Sequence, residues 1–401
     1  MWNKSERTTL LILMPLVLST AISMDIFVPS IPDIAKAFNA DSSLVQWTLS
    51  IYMLGCGIGQ LICGPITDRF GRKKVVLTGI LIYVIGTIIC FLAPSINILI
   101  FGRLFQSLGS CASIVVGYAI VRDIYSTEKG AVTYSHLGSV TMLAPVLAPM
   151  IGGYLSIIFG SWRSSFAFLL LFGLIAFLSS LFFISETLAK HKRIPINFKE
   201  LFNNFSQILK NMNFLSYSFI TLSCMIALFC FCGISPFLLI SSLHVSKPLY
   251  AVCFGSNALS FIIAGILSPI LSKRFGMPLI IFWGLLITLI GSTWMYFINH
   301  YEGLSILNFM MPMATISFGL GLSFGLSTAQ ALSDFEKLAG TASALLTSIQ
   351  FLGAGIVGSI IISYSTHSAE PFAILMIIVG VLSFILYGIN NFSLIRSKLL
   401  N

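Results

Sequence analysis

The chain has 401 residues, 57% of them hydrophobic and only 9% charged, with a formal net charge of +9. Soluble domains carry about 25% charged residues, so this composition excludes a soluble enzyme or nucleic-acid-binding domain and reads as an integral membrane protein. The excess of cations is then a matter of membrane topology rather than a footprint for nucleic acid.

A helix needs about 20 apolar residues to cross about 30 Å of hydrocarbon. Such runs recur twelve times, at about 8–28, 44–65, 75–93, 97–121, 133–158, 163–184, 214–242, 249–271, 277–298, 304–328, 338–364 and 371–393. The first follows Lys4 and Arg7 and ends near Ala21-Ile22-Ser23, which imitates a cleaved leader. Cutting there would leave an odd number of spans, so the first helix is expected to be kept. With the N-terminus inside, the cytoplasmic segments hold nearly all the cations, from Lys4 through Lys337 to Lys398. Only Lys36, Arg163 and Lys247 fall outside, and Arg103 lies within a span. Both termini are therefore expected in the cytoplasm, with the protein in a bacterial inner membrane.

Between the second and third runs lies Gly59-Gln60-Leu61-Ile62-Cys63-Gly64-Pro65-Ile66-Thr67-Asp68-Arg69-Phe70-Gly71-Arg72-Lys73-Lys74. Positive-inside charge explains the cations but not Gly, Pro, Asp and Gly at fixed offsets. Arg69-Phe70-Gly71 is echoed by Arg274-Phe275-Gly276 after the eighth run, without the Asp and the trailing cations. The longest polar interruption separates six runs from six. It contains Lys190-His191-Lys192-Arg193 and then Phe198, Leu201, Phe202, Phe205, Ile208, Leu209 and Met212 at helical spacing, an amphipathic surface helix. The expected fold class is thus an all-α membrane protein of two six-helix pseudo-repeat bundles, 1–184 and 214–401, joined by a cytoplasmic linker at 185–213.

Two ionisable residues lie inside the hydrocarbon, Asp25 in span one and Arg103 in span four. Each costs about 2.5–3.5 kcal/mol at a helix centre, and opposite chain directions place them at similar depth. They are either a static pair fixing two helices or a carboxylate whose proton occupancy responds to a cation and to substrate. Gln60, Gln106, Asn257 and Gln350 are uncharged polar residues within spans, and Tyr52 and Met53 are candidate lining residues. His136, His191, His244, His300 and His367 fall in loops or helix ends, which argues against a histidine proton relay. The eight cysteines lack a paired framework, so neither disulfide nor metal is expected, and they read as small apolar packing residues. No nucleophile–base set and no Gly-rich lysine loop is present, so no cofactor, ATP or enzymatic role is expected.

The 59–74 segment closely resembles the signature loop of the major facilitator superfamily. Ser23-Met24-Asp25-Ile26-Phe27-Val28-Pro29-Ser30-Ile31-Pro32 and Arg103-Leu104-Phe105-Gln106-Ser107-Leu108-Gly109 resemble the first and fourth helices of its bicyclomycin/chloramphenicol-resistance branch of drug:proton antiporters, with Ser107 in place of the usual Gly. Leu143 to Gly153, with Pro145, Pro149, Gly152 and Gly153, resembles the fifth-helix antiporter motif, and Trp162-Arg163 and Glu186-Thr187-Leu188 also fit. The resemblance implies an exporter of small amphiphilic molecules in exchange for protons, with Asp25 as proton site and Arg103 as its partner or a substrate contact; a monomer is expected. It makes Gly59, Gly64, Pro65, Asp68, Arg69, Gly71, Arg72, Lys73 and Asp123 a conformational gate, with Asp68, Arg72 and Asp123 as its charge relay. The fifth-helix prolines either seal the closed side or only kink the helix for packing. Alternatives within this reading are export of an endogenous product such as a siderophore or sugar, and a non-transporting sensor with a transporter fold.

Overall fold

A computed structural model describes residues 6–125, 127–193, 195, 197–335, 338–365 and 368–399. Lys4, Lys337 and His367 lie outside the described residues. Among the described residues, twelve helices are long and apolar enough to cross a membrane. The first unit contains α1 (Glu6–Asp25), a 3-10 turn (Val28–Ser30), α2 (Ile31–Phe38), α3 (Ser42–Phe70), α4 (Arg72–Leu92), α5 (Ile96–Ile124), α6 (Thr127–Ile158) and α7 (Arg163–Phe183). The short α8 (Phe198–Leu209) precedes α9 (Met212–Ser235), which runs into a π-helical turn at Pro236–Ser242. There follow α10 (Lys247–Phe275), α11 (Met277–Glu302), α12 (Ile306–Leu332), α13 (Ala339–Tyr364) and α14 (Glu370–Leu399).

The first span is longer than its apolar run. Pro29 and Pro32 supply no backbone donor, so the helix breaks after Asp25, turns through the 3-10 segment and resumes as far as Phe38. Asn39, at φ 46°, closes it in the left-handed conformation that Asn tolerates. In α8 the helical spacing leaves Phe202 72% exposed, between the exposed Lys199 and Lys210, while Ile208 is buried.

The chain divides into two compact units, Met1–Phe198 and Lys199–Asn401. In the first, α4 packs on α5 and α7, α3 on α5, and α1 on α5, α6 and α7. In the second, α11 packs on α12 and α14, α10 on α12, and α9 on α12, α13 and α14. Each pairing in one unit therefore has its counterpart in the other, a three-dimensional repeat far stronger than the Arg-Phe-Gly echo in sequence. Small residues make the tightest of these pairings possible. A Cβ on Gly86 would lie 2.9 Å from Gly102 O across the α4–α5 contact, and one on Gly284 would lie 2.7 Å from Gly319 O across α11–α12. The outward faces keep large apolar side chains such as Tyr154, Phe182, Leu307 and Ile389, which suit hydrocarbon rather than water.

Candidate functional site

Among the described residues Arg103 is the largest fully buried side chain, at 0% exposure, and lies within α5. Its Nε donates to Thr48 O at 3.2 Å on α3, and its Nη1 donates to Ser23 O at 2.9 Å on α1 and to Gln106 Oε1 one turn further along α5. Its guanidinium carbon stands 4.1 Å from the ring centroid of Tyr52 and 4.5 Å from that of Phe27. Three neutral oxygens and two aromatic faces thus offset the desolvation of this cation. Its Nη2 is buried and makes no hydrogen bond within the protein.

Asp25 is the last residue of α1 and is only 5% exposed. It lies in the chain between Ser23 and Phe27, both of which touch the guanidinium. Met53 is fully buried beside Tyr52 on α3.

A polar network surrounds this group. Gln106 Nε2 donates to Thr87 Oγ1 at 2.8 Å, and Thr87 donates to Tyr83 O at 2.7 Å. The Tyr83 and Ser23 hydroxyls meet at 2.8 Å. Tyr52 OH reaches Thr20 O at 3.1 Å and Ser110 Oγ at 3.0 Å. Arg103, Gln106, Tyr52 and the neighbourhood of Asp25 are therefore brought together, but Tyr83, Thr87, Ser23 and Thr48 escaped sequence reasoning. Gly79, Tyr83 and Gly86, spaced at helical steps on an otherwise apolar span, are the signal that could have found the first two.

The second cluster forms where α3 meets α4. Arg72 is 2% exposed; its Nη1 lies 2.6 Å from Asp68 Oδ1 and its Nε 2.8 Å from Asp123 Oδ2 at the end of α5. Gly71 adopts φ +94°, a conformation that favours glycine, so the chain turns sharply between the helices. Lys73 Nζ donates to Leu181 O at 3.1 Å on α7, and Arg69 stacks over Phe70 at 5.1 Å. Gly59 is packed against Cys111, whose Sγ would lie 2.9 Å from a Cβ there, whereas Gly64 faces open space and Pro65 lies within α3. Glu186 and Thr187 join this cluster as well: Glu186 Oε1 accepts from Arg72 N at 2.9 Å, and Thr187 Oγ1 donates to Asp123 Oδ2 at 2.9 Å.

Pro145 and Pro149 both lie inside α6. One turn on, Gly152 is packed directly against Ile26 O, at the break after α1, where any side chain would collide with backbone. Gly153 O accepts from Ser156 Oγ at 2.9 Å.

A model of the Major Facilitator Superfamily matches residues 13–359. A chloramphenicol resistance protein from Pseudomonas aeruginosa is 29% identical over 90% of this chain and 85% of its own. A bicyclomycin resistance protein homolog from Haemophilus influenzae is 28% identical over 95% of this chain and 97% of its own. The crystal structure of a D-xylose-proton symporter covers 94% of this chain and 97% of that one with a TM-score of 0.75, at 12% identity, a likeness of fold alone. The family match extends over most of the chain and through both repeated units, so the protein belongs to the Major Facilitator Superfamily and is a multi-pass membrane transporter of small molecules, not an enzyme.

Proposed function

We propose that this transporter exports small amphiphilic organic compounds, drugs among them, in exchange for protons by alternating access. The observation that carries the reading is the fully buried Arg103, which bonds Ser23 O two residues before the buried Asp25. A guanidinium held by neutral oxygens, with Nη2 unpartnered, leaves a strong donor for a substrate acceptor or a carboxylate. A buried carboxyl in the same short stretch can take and release a proton as that donor is engaged or freed. A proton moving down 100 mV gains about 2.3 kcal/mol and each pH unit adds about 1.4. Together these sustain a gradient of roughly several hundred-fold for one neutral substrate. Relatives named for resistance to chloramphenicol and bicyclomycin support the substrate class.

In this reading both termini face the cytoplasm of a bacterial inner membrane, as the distribution of Lys and Arg supports, and the protein works as a monomer. The six-helix bundles at 1–184 and 214–401 are the two moving parts of that cycle, tethered by 185–213. The Asp68–Arg72–Asp123 cluster is a cytoplasmic latch that breaks during the cycle. The Pro145–Gly153 stretch of α6 seals the first span against leak through the Gly152–Ile26 contact.

The test is collapse of a preformed pH gradient in everted vesicles on adding amphenicols, bicyclomycin or lipophilic dyes. Wild type is compared with Asp25→Asn at matched expression. Collapse by wild type alone is expected. Equal collapse with Asp25→Asn removes Asp25 from coupling, and no collapse by any compound sinks the drug-export reading in favour of an endogenous substrate.

A further inference from the structure

Helix α4 begins without a cap of its own. The first amides of any helix have no intrahelical partner, and at four other helices the capping residue's own side chain supplies one: Ser95 for α5, Asn211 for α9, Ser246 for α10 and Ser305 for α12. At α4 the capping position is Gly71, which has no side chain to offer. The missing oxygen comes from far along the chain. Glu186, three residues past α7, puts Oε1 2.9 Å from Arg72 N and 3.0 Å from Leu188 N, and Oε2 3.5 Å from Arg193 Nη2.

Gly71 cannot be exchanged for a self-capping Ser or Asp. Its φ is +94°, and a Cβ there would run into Glu186 Oε2. The corresponding glycine of the second unit, Gly276, has a similar φ of +88°, but a Cβ there would meet only Pro278, at 3.8 Å. The first corner carries this long-range cap, and at the second no carboxylate stands where a Cβ on the glycine would lie.

From this we infer that Glu186, assisted by Thr187, is a positioning residue of the latch. It anchors the Gly71–Arg72 backbone at the positive end of α4, and so aims the guanidinium at Asp68 and Asp123. Thr187 completes the brace by sharing Asp123 Oδ2 with Arg72 Nε, at 2.9 and 2.8 Å. The start of the linker thereby becomes part of the latch, and a local cap is replaced by one that holds only while residues 186–193 stay docked. The inference rests on the latch reading of Asp68, Arg72 and Asp123.

Hydrogen exchange on the full-length protein in nanodiscs tests it without needing a substrate. Peptides covering 68–78, 120–125 and 184–194 are followed in wild type, Glu186→Ala, Glu186→Gln, Thr187→Val, Arg72→Ala and the Arg72→Ala/Glu186→Ala double variant. Glu186→Ala is expected to speed exchange at 70–75 by about tenfold. Glu186→Gln, which keeps an acceptor oxygen, should stay within about threefold of wild type, and it still reports if the alanine variant fails to fold. If Glu186 acts through Arg72, the double variant exchanges at 120–125 no faster than Arg72→Ala alone. Wild-type exchange in Glu186→Ala, or strictly additive effects, would overturn the brace. Unchanged exchange at 120–125 in Arg72→Ala would instead overturn the latch itself.

Discussion

The guanidinium of Arg103 and the ring of Tyr52 stand 4.1 Å apart, face to cation, on neighbouring helices α5 and α3. The same tyrosine sends its hydroxyl to Thr20 O on α1. One side chain therefore holds the cation from below and ties a third helix to it. This accounts for a fully buried Arg in a span at tolerable cost, since the ring and three carbonyl-type oxygens share the work that water does outside.

Tyr52 can be dissected on that basis. Tyr52→Phe keeps the ring and loses hydrogen bonds worth about 1 kcal/mol, so gradient collapse should fall by less than about fivefold. Tyr52→Leu removes the cation–π contact and should fall by about tenfold or more. Arg103→Lys should be worse still. A single ammonium cannot span Ser23 O, Thr48 O and Gln106 Oε1 together, and each abandoned acceptor costs about 1–3 kcal/mol. Equal activity of the Phe and Leu variants would remove the ring from the account.

Asp68 and Asp123 both bind Arg72 but are not equivalent. The Asp68 side chain is 41% exposed and that of Asp123 14%. Solvent screens the first pair, worth about 0–1 kcal/mol, more than the second. Asp123→Asn should therefore slow transport more than Asp68→Asn in everted vesicles, and its effect should depend less on salt. The reverse order would mean that Asp68 acts through something other than this ion pair.

Gly152→Ala tests the contact between α6 and the first span. The added methyl would collide with Ile26 O, a backbone atom with little room to yield. Overpacking of this kind costs about 1–3 kcal/mol, so the thermal midpoint in detergent should drop and transport with it. A midpoint equal to that of wild type would show that α6 moves freely away from the break.

Gly79 and Gly284 offer a test of the internal repeat. A Cβ on Gly79 would come against Ala112 and the Gly109 carbonyl, and one on Gly284 against the Gly319 carbonyl. Gly79→Val and Gly284→Val should therefore lower the thermal midpoint by similar amounts, each destabilising by about 1–3 kcal/mol. A large loss in one and none in the other would mean that the two units do not share the packing logic their geometry presents.

Much of this protein follows from composition along the chain. Twelve apolar runs become twelve long helices because, in hydrocarbon, each backbone donor must be satisfied within its own segment. The corner at 59–74 is legible for a related reason: glycine with a positive φ, proline and charges at fixed offsets have few uses other than a tight membrane-surface turn. What Arg103 touches could not be read this way. Its hydrogen-bond acceptors are two backbone carbonyls and an amide, and carbonyls carry no residue identity. The cap on α4 was hidden as well, because Glu186 and Arg72 are far apart in sequence and meet only through the packing of α4 against α7. Local physics along the chain decided which segments cross the membrane; the close approach of small-residue helices decided which polar groups meet inside.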